Sequence, residues 1–284
     1  MKDSIPEVTP TITPLPARLT SVGVERVSDT VWFADNVLTE KECQDIINAS
    51  KNSLSRSTVL KGESENDSSL NKGRTSQNAW LLAKDLDINS DAFNALLKIE
   101  RITESFTDQP IKNQEGLQVL RYSEGEEYQP HHDFFHDNHK EYDRCMMEGG
   151  QRLWTVYFYL NDVEEGGDTF WPRLDVKISP KIGRVAIWQN IVNGEVFHPS
   201  LHWGKPPTKG EKWGCTKWVR EREFAGDIKA DAVLQNKKGQ EACDESSRYP
   251  TLAKEIVEEP SDRSFSVERK SKSIDTSNAE VIIV

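Results

Sequence analysis

The sequence has no apolar run long enough to cross a bilayer. Its first residues, MKDSIPEVTPTITPLP, lack the apolar stretch of a secretory signal, so neither a membrane partner nor export is expected, and a cytoplasmic location is. Cysteine is scarce. Cys43, Cys145, Cys215 and Cys243 lie far apart with no CxxC spacing, which argues against a zinc knuckle and fits reduced thiols. Positive charge is in deficit, with 36 basic against 47 acidic residues and a net charge of −11. No basic stripe is present, so nucleic acid is not an expected partner. Histidine is missing from most of the chain. All six fall between His131 and His202.

What is present divides into three parts. Residues 1–24 carry Pro6, Pro10, Pro14 and Pro16 among Thr and Ser and read as an extended, flexible arm. Residues 25–224 carry the periodic apolar pattern of one folded domain. Residues 225–284, with nine basic and twelve acidic residues and few aromatics, read as a largely disordered tail. Removing that tail and the neutral arm leaves −8 on the domain, which favours neutral or basic polypeptide partners over anionic polymers. Oligomeric state is not readable from the sequence.

Within the domain, helices come first and strands follow. Val31–Phe33 reads as a strand, and Thr39-Glu-Lys-Glu42 as a capping box opening a helix with Cys43, Ile46 and Ile47 on one face. Residues 61–73 are polar and read as a loop. A second helix is expected from about Asp91 to Thr103. Strands are expected at 117–122, 154–160, 169–171, 184–187 and 212–220, separated by Gly-, Pro- and Asp-rich turns. That order implies a β-sandwich or barrel with supporting helices.

The histidine cluster carries the chemistry. Tyr128-Gln-Pro-His131-His-Asp133 places an imidazole and a carboxylate two residues apart, on one face if the backbone is extended. A third ligand must be distant, and His202 or His198 can supply it. Two imidazoles and one carboxylate on one face leave other positions open, as non-haem Fe(II) needs for a cosubstrate and dioxygen. The residual positive charge favours a bidentate 2-oxo acid, whose far carboxylate needs a cation. Lys212 follows His202 by ten residues, beyond a Pro-Pro-Thr-Lys-Gly turn, and can return beside it on an antiparallel strand.

These stretches resemble the Fe(II)/2-oxoglutarate-dependent prolyl 4-hydroxylases of the collagen and plant-wall type. The likeness covers roughly residues 30–221. It runs through Leu117–Phe135, Gly149–Arg152, Tyr159–Phe170, Ser200–Gly204 and Lys209–Trp218, with Arg74-Thr-Ser76 upstream. The resemblance implies a double-stranded β-helix (jelly roll), with supporting N-terminal helices in an otherwise mainly β chain. It implies His131, Asp133 and His202 as ligands of Fe(II), and Lys212, Tyr122, Thr169 and Tyr159 around 2-oxoglutarate. It further implies Tyr128, Arg152, Trp218, Arg74 and Trp80 around a proline-containing polypeptide, with dioxygen as oxidant and ascorbate as reductant. The compact single-domain members are the nearest in kind.

Two departures stand out. Arg220 sits where many relatives place a histidine, and Trp203 follows the distal histidine where a small residue is usual, which would narrow the site. Alternatives remain at this stage: another oxygenase substrate (lysine, a small molecule or a nucleobase), a non-catalytic metal-binding jelly-roll module, or a zinc hydrolase. In the last, Lys212 has no task.

Overall fold

The computed structural model describes residues 23–57, 73–226, 229–237 and 282–283. Strands β1 (Glu25–Ser28) and β2 (Val31–Ala34) lead into helix α1 (Glu40–Ser50), then β3 (Ser55–Arg56), β4 (Gln77–Leu81) and helix α2 (Asp91–Thr107). Next come β5 (Leu117–Tyr122), β6 (Tyr128–His132), α3 (Tyr142–Met147), β7 (Arg152–Tyr159), β8 (Glu165–Gly166), β9 (Thr169–Trp171) and β10 (Val176–Ile178). Strands β11 (Val185–Gln189), β12 (Ile191–Val192), β13 (Glu195–Val196), β14 (His202–Gly204), β15 (Pro207–Lys209) and β16 (Lys212–Arg220) follow. Helix α4 (Ala230–Lys237) and β17 (Ile282–Ile283) complete the described chain.

Most strands belong to two sheets. The larger has the order β1-β2-β11-β7-β16-β5-β4-β3, and the smaller β10-β9-β14-β6-β17. Within the larger sheet every pairing is antiparallel, and side chains along each strand alternate between two faces, with register irregularities at Arg26/Ser28 and Val219/Arg220. One face carries Leu117, Val119, Trp154, Val156, Phe158, Val185, Ile187, Cys215 and Val219, all buried in the main core with the helices. The other carries Leu120, Tyr122, Tyr157, Tyr159, Ala186 and Trp188. These meet Tyr128, Trp171 and Ile178 of the smaller sheet in a second, tyrosine- and tryptophan-rich cluster. Two sheets closing on one aromatic interior form the double-stranded β-helix that the resemblance implied.

The helices buttress the sheet from outside. Helix α1 starts where the capping box places it: the Glu42 amide donates to Thr39 Oγ1 (3.3 Å), and the Thr39 amide donates to Glu42 Oε2 (2.8 Å). Lys98 of α2 then binds the same carboxylate (2.8 Å), tying the two helices together. Helix α2 runs four residues past the expected end. Phe106 continues the buried apolar face, and the helix stops only where Asp108 turns left-handed (φ 55°). On the helix-facing side of the sheet, Lys217 reaches Glu100 of α2 (3.4 Å) and the Glu115 carbonyl (2.9 Å).

Helix α4 lies within the stretch read as a disordered tail. Ala230 is buried against the core, and Asp231 pairs with Arg101 of α2 (3.2 Å), so apolar contact and one ion pair hold this piece on the domain. Residues 227–228, 238–281 and 284 of the expected tail lie outside the described residues, as do residues 1–22 of the Pro/Thr-rich arm and all but Gly73 of the expected loop over 61–73. Among the described residues no helix is long and apolar enough to cross a membrane.

Thr39→Ala removes the cap and its reciprocal bond. The expected loss is about 1 kcal/mol, a fall of roughly 2–4 °C in the thermal midpoint, measurable by circular dichroism.

Candidate active site

The smaller sheet brings the two distant histidines together. Strands β6 and β14 pair antiparallel with His131 directly opposite His202, so both imidazoles stand on the same face, 4.2 Å apart between ring centres. Asp133 follows the end of β6. Its Oδ1 is 3.7 Å from His131 Nε2 and its Oδ2 3.7 Å from His202 Nε2. Among the described residues this is the one group of three His, Cys, Asp or Glu side chains whose ligand atoms lie close enough to hold an ion, all within 4.8 Å of each other. His198, the other candidate for the distal position, lies aside: its carbonyl accepts from the His132 ring (3.0 Å) and Arg173 (3.3 Å).

The surroundings prepare these three residues as ligands. Nδ1 of His131 contacts the Gln129 carbonyl (2.8 Å) and Nδ1 of His202 the Ser200 carbonyl (3.0 Å). A carbonyl only accepts, so both Nδ1 atoms carry the proton and both Nε2 lone pairs face the centre. Burial lowers the pKa of both rings, which keeps them neutral, the form that binds metal. Asp133 Oδ2 accepts from Thr155 Oγ1 (2.7 Å), which in turn accepts from Asn190 Nδ2 (2.8 Å). His131 stacks flat on Tyr128 (3.4 Å, 15°), and His202 packs against Trp188 (4.7 Å). Two neutral imidazoles and one oriented carboxylate, dry and preset, fit a divalent iron with open positions.

Lys212 opens β16 and lies opposite Tyr122 of β5, so it points into the same cavity. Its ammonium is caged by the rings of Tyr122 (5.2 Å), Tyr157 (5.3 Å) and Tyr159 (5.6 Å). No carboxylate lies within ion-pair distance of it among the described residues. Burial lowers its pKa from 10.5 to about 7, against a smaller opposing pull from Asp168. Thr169 and Tyr122 line the same cavity. The Tyr159 hydroxyl is engaged by Thr169 Oγ1 (2.8 Å) and the Ile178 carbonyl (3.2 Å), so that residue contributes a wall more than a free donor.

The expected substrate residues divide. Tyr128, Trp218 and Arg74 line the metal cavity. Arg74 donates to Gln118 Oε1 (3.0 Å) and lies over the Tyr128 ring (4.4 Å). It sits on a strap, residues 73–75, that pairs with β6 through Gln129 N to Gly73 O (2.8 Å) and Thr75 N to Glu127 O (3.0 Å). Arg152 lies behind Trp218, its guanidinium 3.8 Å from that ring and bonded in parallel to both oxygens of Glu115 (2.6 and 2.8 Å). Trp80 is 45% exposed, on the outer side of Trp218 at 6.2 Å.

Trp203 does not narrow the site. Adjacent strand residues face opposite ways, so with His202 inward Trp203 points out, where its Nε1 donates to Glu127 (2.7 Å). Sequence reasoning passed over Gln118, Thr155, Tyr157, Trp188 and Thr216, all of which line the cavity. For several the signal was period two: Gln118 precedes Tyr122 by four residues, Thr155 and Tyr157 precede Tyr159 by four and two, and Thr216 follows Lys212 by four. Tyr157 packs so tightly over β16 that a Cβ at Gly214 would lie 2.1 Å from its hydroxyl oxygen.

With this geometry in place, comparison with known proteins is decisive. The 2OG-Fe(II) oxygenase superfamily matches residues 117–220, the stretch that holds His131, Asp133, His202 and Lys212. Prolyl 4-hydroxylase 5 of Arabidopsis thaliana is 34% identical over 209 residues, covering 66% of this chain and 67% of the plant protein. Another Arabidopsis thaliana relative, named probable prolyl 4-hydroxylase 10, is 34% identical over 209 residues, 66% of this chain and 68% of its own. The chain belongs to the prolyl 4-hydroxylase family of 2OG-Fe(II) oxygenases. The crystal structure of a viral collagen prolyl hydroxylase from Paramecium Bursaria Chlorella virus-1, in its 2OG complex, is also similar. It aligns with a TM-score of 0.50 at 26% identity, over 67% of this chain and 96% of the viral one.

Thr155→Val deletes the hydroxyl that orients Asp133 while keeping the strand's shape. Cobalt(II) or manganese(II) affinity, read by titration calorimetry, is expected to fall about 10- to 100-fold.

Proposed function

We propose that this protein is a peptidyl-proline 4-hydroxylase that couples oxidative decarboxylation of 2-oxoglutarate to hydroxylation of proline in a polypeptide. The observation that carries the reading is the placement of Lys212 in the same cavity as His131, Asp133 and His202, with all four side chains buried. A metal hydrolase needs only the three ligands. A buried ammonium caged by tyrosines at the other end has a purpose when the ligand is long and carries a carboxylate at each end. Family membership and relatives named as prolyl hydroxylases support proline as the target.

His131 and His202 would hold the metal through Nε2, and Asp133 would cancel one of its two charges. Fe(II), when bound, supplies the activation of dioxygen that splits 2-oxoglutarate into succinate and carbon dioxide and leaves one oxygen atom for a substrate C–H bond. Lys212 would receive the far carboxylate of 2-oxoglutarate, with Tyr122 and Thr169 lining that end and Tyr159 and Tyr157 walling it. Tyr128 and Trp218 would flank the target ring, each held from behind by an arginine: Arg74 over Tyr128 and Arg152 over Trp218. Trp80 would meet the polypeptide outside Trp218. Aromatic walls exclude water, so the charges inside act at low effective dielectric. A reductant such as ascorbate would sustain turnover.

The test combines purified protein, Fe(II), 2-oxoglutarate and proline-rich peptides, with a gain of one oxygen on proline read by mass spectrometry. His202→Ala and Lys212→Ala are expected to abolish it. Bound iron and 2-oxoglutarate with no proline modified in any peptide would overturn the substrate assignment.

The cosubstrate also predicts a pH dependence with a definite sign. Below about pH 7 Lys212 is already charged, whereas above it the lysine must take up a proton to meet a carboxylate. Affinity for 2-oxoglutarate is therefore expected to fall as pH rises, about tenfold between pH 6 and pH 8. Calorimetry in buffers of differing ionisation heat should record proton uptake on binding at the higher pH.

A further inference from the structure

Behind Trp218 lies a second cavity of about 370 Å³, walled by Trp80, Leu82, Phe135 and Phe224 and floored by Arg152, Arg220 and Glu115. It adjoins the metal site. The Arg152 guanidinium stacks on Trp218, which lines the metal cavity, and its Nη1 reaches the Asp133 carbonyl (3.4 Å). One side chain therefore separates the cavity floor from a metal ligand.

The floor carries an unbalanced charge. Glu115 accepts from Arg152 Nε and Nη2, and its Oε1 accepts also from Arg220 Nη1 (3.0 Å). Two guanidiniums share one carboxylate, and all three residues are buried. Burial alone would raise the Glu115 pKa, but the two arginines more than offset it and hold the carboxyl ionised. The floor thus keeps a surplus of one positive charge that solvent screens little. The remaining bonds of Arg220 go to the carbonyls of Gly150 (2.8 Å) and Cys145, which fix its place and cancel no charge. Its plane lies against Phe135 (4.6 Å) and Phe224 (5.4 Å).

At the rim Arg144 is engaged by Glu141 (2.7 Å) and Glu148 (2.9 Å), all about a third to a half exposed. That rim offers the cavity no net positive charge of its own. In a domain that carries −8 overall, a buried positive surplus beside the metal site is a local reversal of sign.

We propose that this cavity is a subsite for an acidic side chain of the polypeptide substrate, close in sequence to the target proline, with Arg220 as its specificity-determining residue. An aspartate or glutamate answers the surplus charge while its methylenes lie against the aromatic walls. An apolar side chain fills the walls and leaves the charge unanswered, and a lysine is repelled. The inference rests on the peptide-hydroxylase reading but is tested apart from it.

The experiment uses proline peptides differing only by Glu, Gln or Lys at each position within roughly three residues of the proline, about 10 Å of extended chain. Binding is read by fluorescence anisotropy with the Fe(II)- and 2-oxoglutarate-loaded protein under nitrogen, and hydroxylation separately by mass spectrometry in air. At one position Glu is expected to bind about fivefold or more tightly than Gln, and Lys worse than both. The difference should appear in KM and not in kcat. Arg220→Gln should erase the preference and Arg220→Lys should keep it. Equal binding of Glu and Gln peptides at every position overturns the proposal without recourse to any variant, as does a folded Arg220→Gln protein that keeps the preference. A Glu preference in binding with no proline hydroxylated supports the subsite and sinks the hydroxylase reading instead.

Discussion

The pairing of β6 with β14 is the constraint from which the centre follows. His131 and His202 are 71 residues apart in sequence, and what makes them neighbours is an antiparallel register that sets one directly across from the other. Because strand side chains alternate, a slip of one residue would turn one imidazole into the interior and the other toward solvent. The same register carries Ser200 and Gln129 to the places where their carbonyls fix the ring protons. Position, protonation and direction of the nitrogen lone pairs are therefore consequences of one ladder. The short-range part, His131 with Asp133, adds only the carboxylate.

The larger sheet solves a second problem, that of keeping a polar cavity inside a protein. Its helix-facing side is almost wholly apolar and supplies the burial that stabilises the domain. The opposite side is thereby free to carry tyrosines, threonines, a lysine and a glutamine around a cavity that packs incompletely. Polar groups there are largely bonded to one another: Thr155 to Asp133, Tyr159 to Thr169, Gln118 to Arg74. Among the described residues, the buried hydroxyls of Tyr157 and Tyr128 have no hydrogen-bond partner. Unsatisfied buried groups of this kind are costly, and both hydroxyls belong to residues that line the cavity.

How much of this could be read from the chain depended on distance along it. The α1 cap was legible because all its partners lie within four residues, from Thr39 to Glu42. The strands at 117–122, 169–171 and 212–220 were legible because turn residues bracket alternating apolar positions. Strand β4 was not, since Gln77-Asn-Ala-Trp-Leu81 shows no simple alternation and its burial comes from pairing with β5. Strand β6 contains Pro130, which ordinarily weakens a strand assignment; here Gln129 bonds to the strap instead. His131, Asp133, His202 and Lys212 were found through spacing and resemblance together. The Arg152–Glu115–Arg220 cluster was invisible, because its members lie 37 and 105 residues apart and nothing local announces an ion pair. Arg220 was noticed only as a departure, and its burial beneath a separate cavity is a property of the fold.

The strap that holds Arg74 has an implication of its own. The Arg74 guanidinium carbon lies 4.4 Å from the Tyr128 ring centre, and the Tyr128 ring lies flat on His131. The strap and the His131 imidazole thus lean on one phenol ring, so neither can shift far unless Tyr128 gives way.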